Sequence, residues 1–177
     1  MAAVMLFLRQ TTGKTERYTH FCMPLKPVFT RDCGDGVHFM DEPTSGLDPY
    51  ERIKFRNIIS VYAKDRLVLL STHIVSDVEH IATQIMMMEY GDINNIHTGE
   101  EYIQMMRGRV WLAEMPAEQL VDYQNQAVIS NVRAKDGRME VRIISDTQPA
   151  PDAVQAVPTL EDAYLYLFNY LPGKAGR

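Results

Sequence analysis

Phe39-Met40-Asp41-Glu42-Pro43-Thr44-Ser45-Gly46-Leu47-Asp48-Pro49 is the stretch on which the reading of this chain turns. Val37-His38-Phe39-Met40 is a short strand candidate that runs straight into two carboxylates. Pro43 and Gly46 then punctuate the chain and call for a turn. A helix is expected to open at Asp48. Its carboxylate can cap the first turn, Pro49 suits the first helical position, and Glu51 completes a capping box. Phe55, Ile58, Ile59 and Tyr62 fall at helical spacing and give that helix a face to bury. The apolar run Leu67-Val68-Leu69-Leu70 reads as a strand covered on both faces, as in a parallel sheet. It delivers Ser71-Thr72-His73.

Toward the C-terminus the alternation continues. Ser76-Asp77-Val78-Glu79 predicts a second capping box, opening a short helix that runs through Ala82. Ile85-Met86-Met87-Met88 is the next strand. Tyr90-Gly91-Asp92 turns it into another at 93–97, and Thr98-Gly99-Glu100-Glu101 starts a helix. Strand and helix in alternation define an α/β class. The pattern changes past Gly108. Strands are expected at 109–114, 127–133 and 139–145, with a hairpin turn at Lys135-Asp136-Gly137-Arg138, because Asp-Gly tolerates the positive φ angles of a tight turn. Residues 147–158 are rich in Pro and Ala and read as a linker. A last helix opens at Thr159, with Asp162 three residues on and Leu160, Ala163, Tyr164, Leu167, Phe168 and Leu171 as its apolar stripe. The expected organisation is a segment 1–36 with no assignable fold, an α/β region 37–107 and a small α+β region 108–177.

Toward the N-terminus the signals weaken. Pro24, Pro27, Gly34 and Gly36 interrupt residues 1–36. The apolar stretch Ala2–Leu8 lacks a basic segment before it and a small-residue cleavage site after it, so it reads as a strand or irregular start rather than a signal peptide. No apolar run approaches the roughly 18 residues that cross a bilayer. Cys22 and Cys33 do not make a disulfide framework. With His20 and His38 they could be written as four zinc ligands, but the spacing fits no common zinc module. The formal net charge of -5 gives no general reason to expect nucleic acid as a partner. The 177 residues, 46% hydrophobic, suffice for a domain with a real core.

A strand that ends abruptly in Asp-Glu suits phosphate chemistry. The first carboxylate can face Mg²⁺ through water, since magnesium keeps much of its hydration. The second can polarise an attacking water. An Asp-Glu pair alone is more often a solvated turn, and Asp48 alone a helix cap. The context from Pro43 to Pro49, with Ser71-Thr72-His73 one helix and one strand later, changes that balance.

These residues together resemble the ATP-binding subunits of ABC transporters. The resemblance runs from about Val37 to the C-terminus. Met86-Met87-Met88-Glu89-Tyr90-Gly91-Asp92 and Thr98-Gly99-Glu100-Glu101 match the segment that follows the family's switch histidine. Pro158-Thr159-Leu160-Glu161-Asp162-Ala163-Tyr164 resembles the C-terminal helix of exporter-type subunits, which makes 108–177 an accessory domain. The resemblance implies part of a P-loop NTPase core, with ATP and Mg²⁺ as cofactors. It implies Asp41 as the metal-side carboxylate of the Walker B strand, Glu42 as the catalytic base and His73 as the sensor of the γ-phosphate. Ser45, Gly46, Leu47 and Asp48 would form the D-loop, at the nucleotide site and across from a second ATP-binding subunit. The implied partners are that subunit and membrane-spanning transporter subunits, not nucleic acid. The implied location is cytoplasmic, peripheral at the inner face of the cell membrane. A DNA-repair branch of the superfamily fits Ser71-Thr72-His73 and the tail less well.

The family also uses a Walker A loop, a glutamine loop and a Leu-Ser-Gly-Gly signature. Gly13-Lys14-Thr15 looks like the end of a G-x-x-x-x-G-K-[ST] loop, but Leu8 stands where its first glycine belongs. Thr15 is also too close to Asp41 for the helical subdomain the family places between them. The expectation is therefore a truncated, C-terminal portion that binds ATP weakly or not at all by itself. The alternative is a non-catalytic remnant or accessory chain that associates with intact subunits.

Overall fold

The structure of the chain, a computed structural model, describes residues 2–8, 30–32, 37–89 and 92–168. His20, Cys22, Cys33, Gly13-Lys14-Thr15, Tyr90-Gly91 and Leu171 lie outside the described residues. The chain divides into two compact units, Met1–Gly99 and Glu100–Arg177.

In the first unit, the described strands are β1 (Ala2–Leu8), β2 (Thr30–Asp32), β3 (Val37–Asp41), β4 (Leu67–Thr72), β5 (Gln84–Glu89) and β6 (Asp92–His97). They form one sheet in the order β2-β3-β4-β1-β5-β6. The sheet is mixed rather than wholly parallel. Only β3 and β4 run parallel among the described pairs; β1 is antiparallel to both β4 and β5. The apolar stretch at the start of the chain is thus a central strand, so β4 is flanked on both sides. Val68, Leu69 and Leu70 on β4 and Ile85, Met86 and Met87 on β5 are all buried. Burial of consecutive residues means that both sheet faces are covered there.

Helix α1 (Pro49–Tyr62) connects β3 to β4. It begins as its sequence dictates. Asp48 Oδ1 accepts from the Glu51 amide at 2.8 Å, and the Glu51 carboxylate reaches back to the Asp48 amide at 3.4 Å. Phe55 and Ile59 are buried, while Ile58 and Tyr62 are half-buried. The last turn of α1 also shelters His38, whose ring meets that of Tyr62 edge-on at 5.3 Å, with the Tyr62 hydroxyl 3.3 Å from Nε2. His38 is thereby a packed core residue.

The second predicted capping box does not form. Helix α2 spans only Val75–Val78, its N-cap is Ile74 with no side-chain cap, and Asp77 is buried inside it. Ser76 therefore lies within the helix. Thr72 Oγ1 takes over at this end, accepting from the Ile74 amide at 3.1 Å.

The second unit carries a four-stranded antiparallel sheet in the order β10-β7-β9-β8. Its strands are β7 (Val110–Met115), β8 (Val128–Lys135), β9 (Arg138–Ile144) and β10 (Val154–Gln155). Asp136 and Gly137, at φ 49° and 76°, make the tight hairpin turn between β8 and β9. Ala113, Met115, Val141, Ile143 and Ala153 form the core, with Trp111, Leu120 and Tyr123 packed against it. The segment 147–158 is not a bare linker, because β10 adds to the sheet beside β7. Helix α3 (Gly99–Met105) falls at the junction of the units. Helix α4 (Ala117–Gln124) was not anticipated by periodicity, and none of its residues is fully buried. Helix α5 (Leu160–Phe168) buries Leu160, Ala163 and Phe168.

Candidate active site

Parallel pairing of β3 with β4 sets the site. Their register places Asp41 beside Ser71 and carries the chain out of both strands at the same sheet end. The Glu42 amide donates to the Ser71 carbonyl at 2.9 Å, holding the two tips together one residue beyond the ladder. Glu42 has φ 44°, in the left-handed region that non-glycine residues seldom enter. This bend turns its side chain back toward β4.

There the Glu42 carboxylate meets three donors. Oε1 lies 2.8 Å from His73 Nδ1 and accepts from the His73 amide at 3.0 Å, and Oε2 accepts from Thr72 Oγ1 at 3.2 Å. A carboxylate has about four acceptor directions, so roughly one remains for a water. The His73 side chain is 62% exposed and that of Glu42 26%. With Nδ1–H given to Glu42, the other ring nitrogen of His73 is the one available to an outside group. Asp41 is exposed and accepts a short hydrogen bond from Ser71 Oγ through Oδ1.

The turn after Glu42 is built by Ser45 N to Glu42 O at 3.0 Å and Leu47 N to Thr44 O at 3.2 Å. Gly46 has φ 75°, which explains a glycine at that point. Pro43 and Thr44 are buried, whereas Ser45, Gly46 and Asp48 are exposed and Leu47 is half-buried. The turn thus roots one end in the core and presents the other to solvent. The cap bond engages one oxygen of Asp48.

The structure brings Asp41, Glu42 and His73 to one sheet end. Ser71 and Thr72 join them with hydroxyls that residue-type reasoning passed over. Their signal was in the sequence: two hydroxyl residues directly before the histidine, opposite two carboxylates. No group of three or more His, Cys, Asp or Glu able to hold a metal occurs among the described residues. Asp41 with the Ser71 hydroxyl offers hard oxygen ligands in the small number that magnesium takes when phosphates and water supply the rest. The donor set therefore fits Mg²⁺ bound jointly with a polyphosphate.

Position 8 of the incomplete glycine loop lies inside β1, where Leu8 pairs with Val68. Since β1 runs against β4, the chain leaves β1 at the end of β4 away from Ser71 and Thr72. A phosphate loop needs the opposite, a strand that ends toward the site.

The chain's homologues are ABC transporter ATP-binding proteins. It is 30% identical over 143 residues to an uncharacterized ABC transporter ATP-binding protein of Bacillus subtilis (strain 168), covering 71% of this chain and 48% of that protein. It is 41% identical over 56 residues to an uncharacterized ABC transporter ATP-binding protein of Nostoc sp., covering 31% of this chain and 17% of the relative. It is 35% identical over 69 residues to the energy-coupling factor transporter ATP-binding protein EcfA2 of Lactococcus lactis subsp. cremoris, covering 38% and 24%. The chain thus spans about half the length or less of the curated relatives it matches. No protein-family model matches the chain. No helix among the described residues is long and apolar enough to cross a membrane.

Proposed function

We propose that this chain carries the hydrolytic residues of an exporter-type ABC-transporter ATP-binding subunit and works against a second ATP-binding subunit and membrane-spanning partners. The observation that carries the reading is the Glu42–His73 contact at 2.8 Å, made at the shared tip of two parallel strands. Glu42 acts as the base for the attacking water. Its remaining acceptor direction takes the water, while Thr72 and the His73 amide hold the carboxylate in place. His73 gives Nδ1–H to Glu42 and turns its other ring nitrogen toward the terminal phosphate. Asp41 and Ser71 would hold Mg²⁺, which when bound supplies positive charge for the β- and γ-phosphate oxygens. The exposed half of the turn, Ser45 to Asp48, meets the second subunit across the nucleotide. The second unit is the accessory domain, and the assembly lies at the inner face of the cell membrane.

The test is ATP hydrolysis by the chain assembled with a second ATP-binding subunit. Glu42→Gln removes the base while keeping its shape, and should lower the rate at least about 100-fold. A variant with the parent's rate would take Glu42 out of the chemistry.

A second reading, an accessory chain without catalysis of its own, draws on the direction of β1. With Leu8 at the end of a strand that leads away from the site, β1 is not a strand from which a phosphate loop would reach Glu42. Under that reading the chain shows no ATP hydrolysis in any assembly yet binds an intact subunit, and Glu42→Gln has nothing to abolish.

A further inference from the structure

Arg52, on the first turn of α1, sits between two loops of the site. Its Nε donates to the Leu47 carbonyl at 3.2 Å, which fixes the guanidinium to the turn 43–48. Its NH1 nitrogen lies 3.7 Å from Asp77 Oδ2 on α2. The Asp77 side chain is 6% exposed, and Oδ2 is buried with no hydrogen-bond partner among the described residues. A carboxylate removed from water needs a compensating cation, and the cation facing it is Arg52. At 3.7 Å the pair is in charge contact but too long for a hydrogen bond.

Both arms of the guanidinium lead to the site. On one side, the Leu47 amide closes the turn through Thr44. On the other, the Asp77 amide bonds to the Ile74 carbonyl at 3.1 Å, and the Ile74 amide bonds to Thr72 Oγ1, which itself donates to Glu42. Arg56, one helical turn further along α1, reinforces the second arm by donating to the Ser76 carbonyl at 3.4 Å. A planar guanidinium can serve two directions at once, which an ammonium on a flexible stem does poorly.

We propose that Arg52 and Asp77 are a positioning pair that couples the turn 43–48 to the segment 73–78, so that displacement of one loop displaces the other. The proposal rests on the functional reading above only for what it means: a second subunit pressing on Ser45 to Asp48 would be felt at His73.

The test needs no nucleotide, so its failure leaves the hydrolytic reading standing. Amide hydrogen exchange is followed by NMR in the full chain. The probes are His73, whose amide bonds to Glu42, and Leu47, whose amide closes the turn, with Val68 and Met86 as core references. Arg52→Ala and Asp77→Ala should each speed exchange at both His73 and Leu47 by about tenfold while Val68 and Met86 hold. The double variant should go no further than either single one. Arg52→Lys keeps a charge for Asp77 but loses the Nε donor to the Leu47 carbonyl, which breaks the same link, so both Leu47 and His73 should speed up. If Asp77→Ala does not fold, the near-isosteric Asp77→Asn gives the same comparison. Unchanged exchange at both probes overturns the proposal. So does a uniform rise that includes Val68 and Met86, or an additive double variant.

Discussion

Glu42 combines two properties that ordinarily oppose each other: a left-handed backbone and a side chain with three hydrogen-bond donors on it. A Cβ in that conformation costs about 1–2 kcal/mol, a cost that the surrounding bonds must offset. Strain of this kind collects where a side chain has to be aimed. Replacing Glu42 by Ala removes the bonds and keeps the strain; replacing it by Gly removes both. Glu42→Gly should therefore be more stable than Glu42→Ala by about 1 kcal/mol in urea unfolding. Equal stabilities would mean the backbone there is unstrained. The identities of Asp41, Glu42 and His73 were legible as residue types in a pattern. The bend at Glu42 was not, because a positive φ leaves no mark at a glutamate in the sequence. Arg52 and Asp77 were also silent, since each looks like an ordinary exposed helix charge until the fold brings them face to face.

At the scale of elements, side-chain caps decide where helices start. The box at Asp48 was legible because cap, proline and glutamate all agree and a long apolar face follows. Asp48→Ala should cost about 1 kcal/mol of stability, read as a lower urea midpoint with the slope unchanged. The similar letters at Ser76-Asp77-Val78-Glu79 misled, because Asp77 turns inward toward Arg52 and the helix has only four residues. Helix α4 was hidden for another reason: it leans on the core through half-buried Leu120 and Tyr123, too sparse a pattern to register as a period.

Helix α5 is anchored by a polar knot. Asp162, 1% exposed, accepts from Arg142 at 3.0 and 2.7 Å, from Ser130 Oγ at 2.8 Å, and from the Thr159 amide and hydroxyl at 2.8 and 2.9 Å. Burial pushes the Asp162 carboxyl upward, but Arg142, Thr159 and Ser130 together hold it below its ordinary value. A depressed carboxyl stabilises the folded form at every pH above its unfolded value near about 3.9, and that stability fades as pH falls below it. The second unit should therefore weaken below about pH 4. Trp111, the chain's one tryptophan, sits against the core of that unit and reports it by fluorescence. Asp162→Asn should flatten this acid-side loss and lower stability near neutrality by about 3 kcal/mol. A variant with the parent's pH profile would place the acid sensitivity elsewhere.

At the scale of the molecule, the two kinds of sequence pattern do become two kinds of sheet, each with its own core. The mixed α/β order of the first and the antiparallel hairpins of the second were legible because hydrophobic period and turn residues are local signals. The place of β1 was not. An apolar heptad of residues can fit many sheets, and its insertion between β4 and β5 depends on partners roughly sixty to ninety positions away. That insertion matters for function, because it sends the chain from Leu8 away from the sheet end that holds Asp41 and Glu42. The sheet end that holds Asp41 and Ser71 is the one at which β1 begins, not the one at which it ends.

The most direct test is therefore where a nucleotide lands. Mg²⁺-ATP is titrated to millimolar concentration into the isotopically labelled chain, assembled with a second ATP-binding subunit, while its amide and imidazole signals are followed by NMR. The account predicts Mg²⁺-dependent shifts at Asp41, Glu42, Ser71 and the ring of His73, with Glu114 and Arg133 on the second unit unmoved. Shifts confined to other surfaces, or none at Asp41, Glu42 and His73, would contradict it.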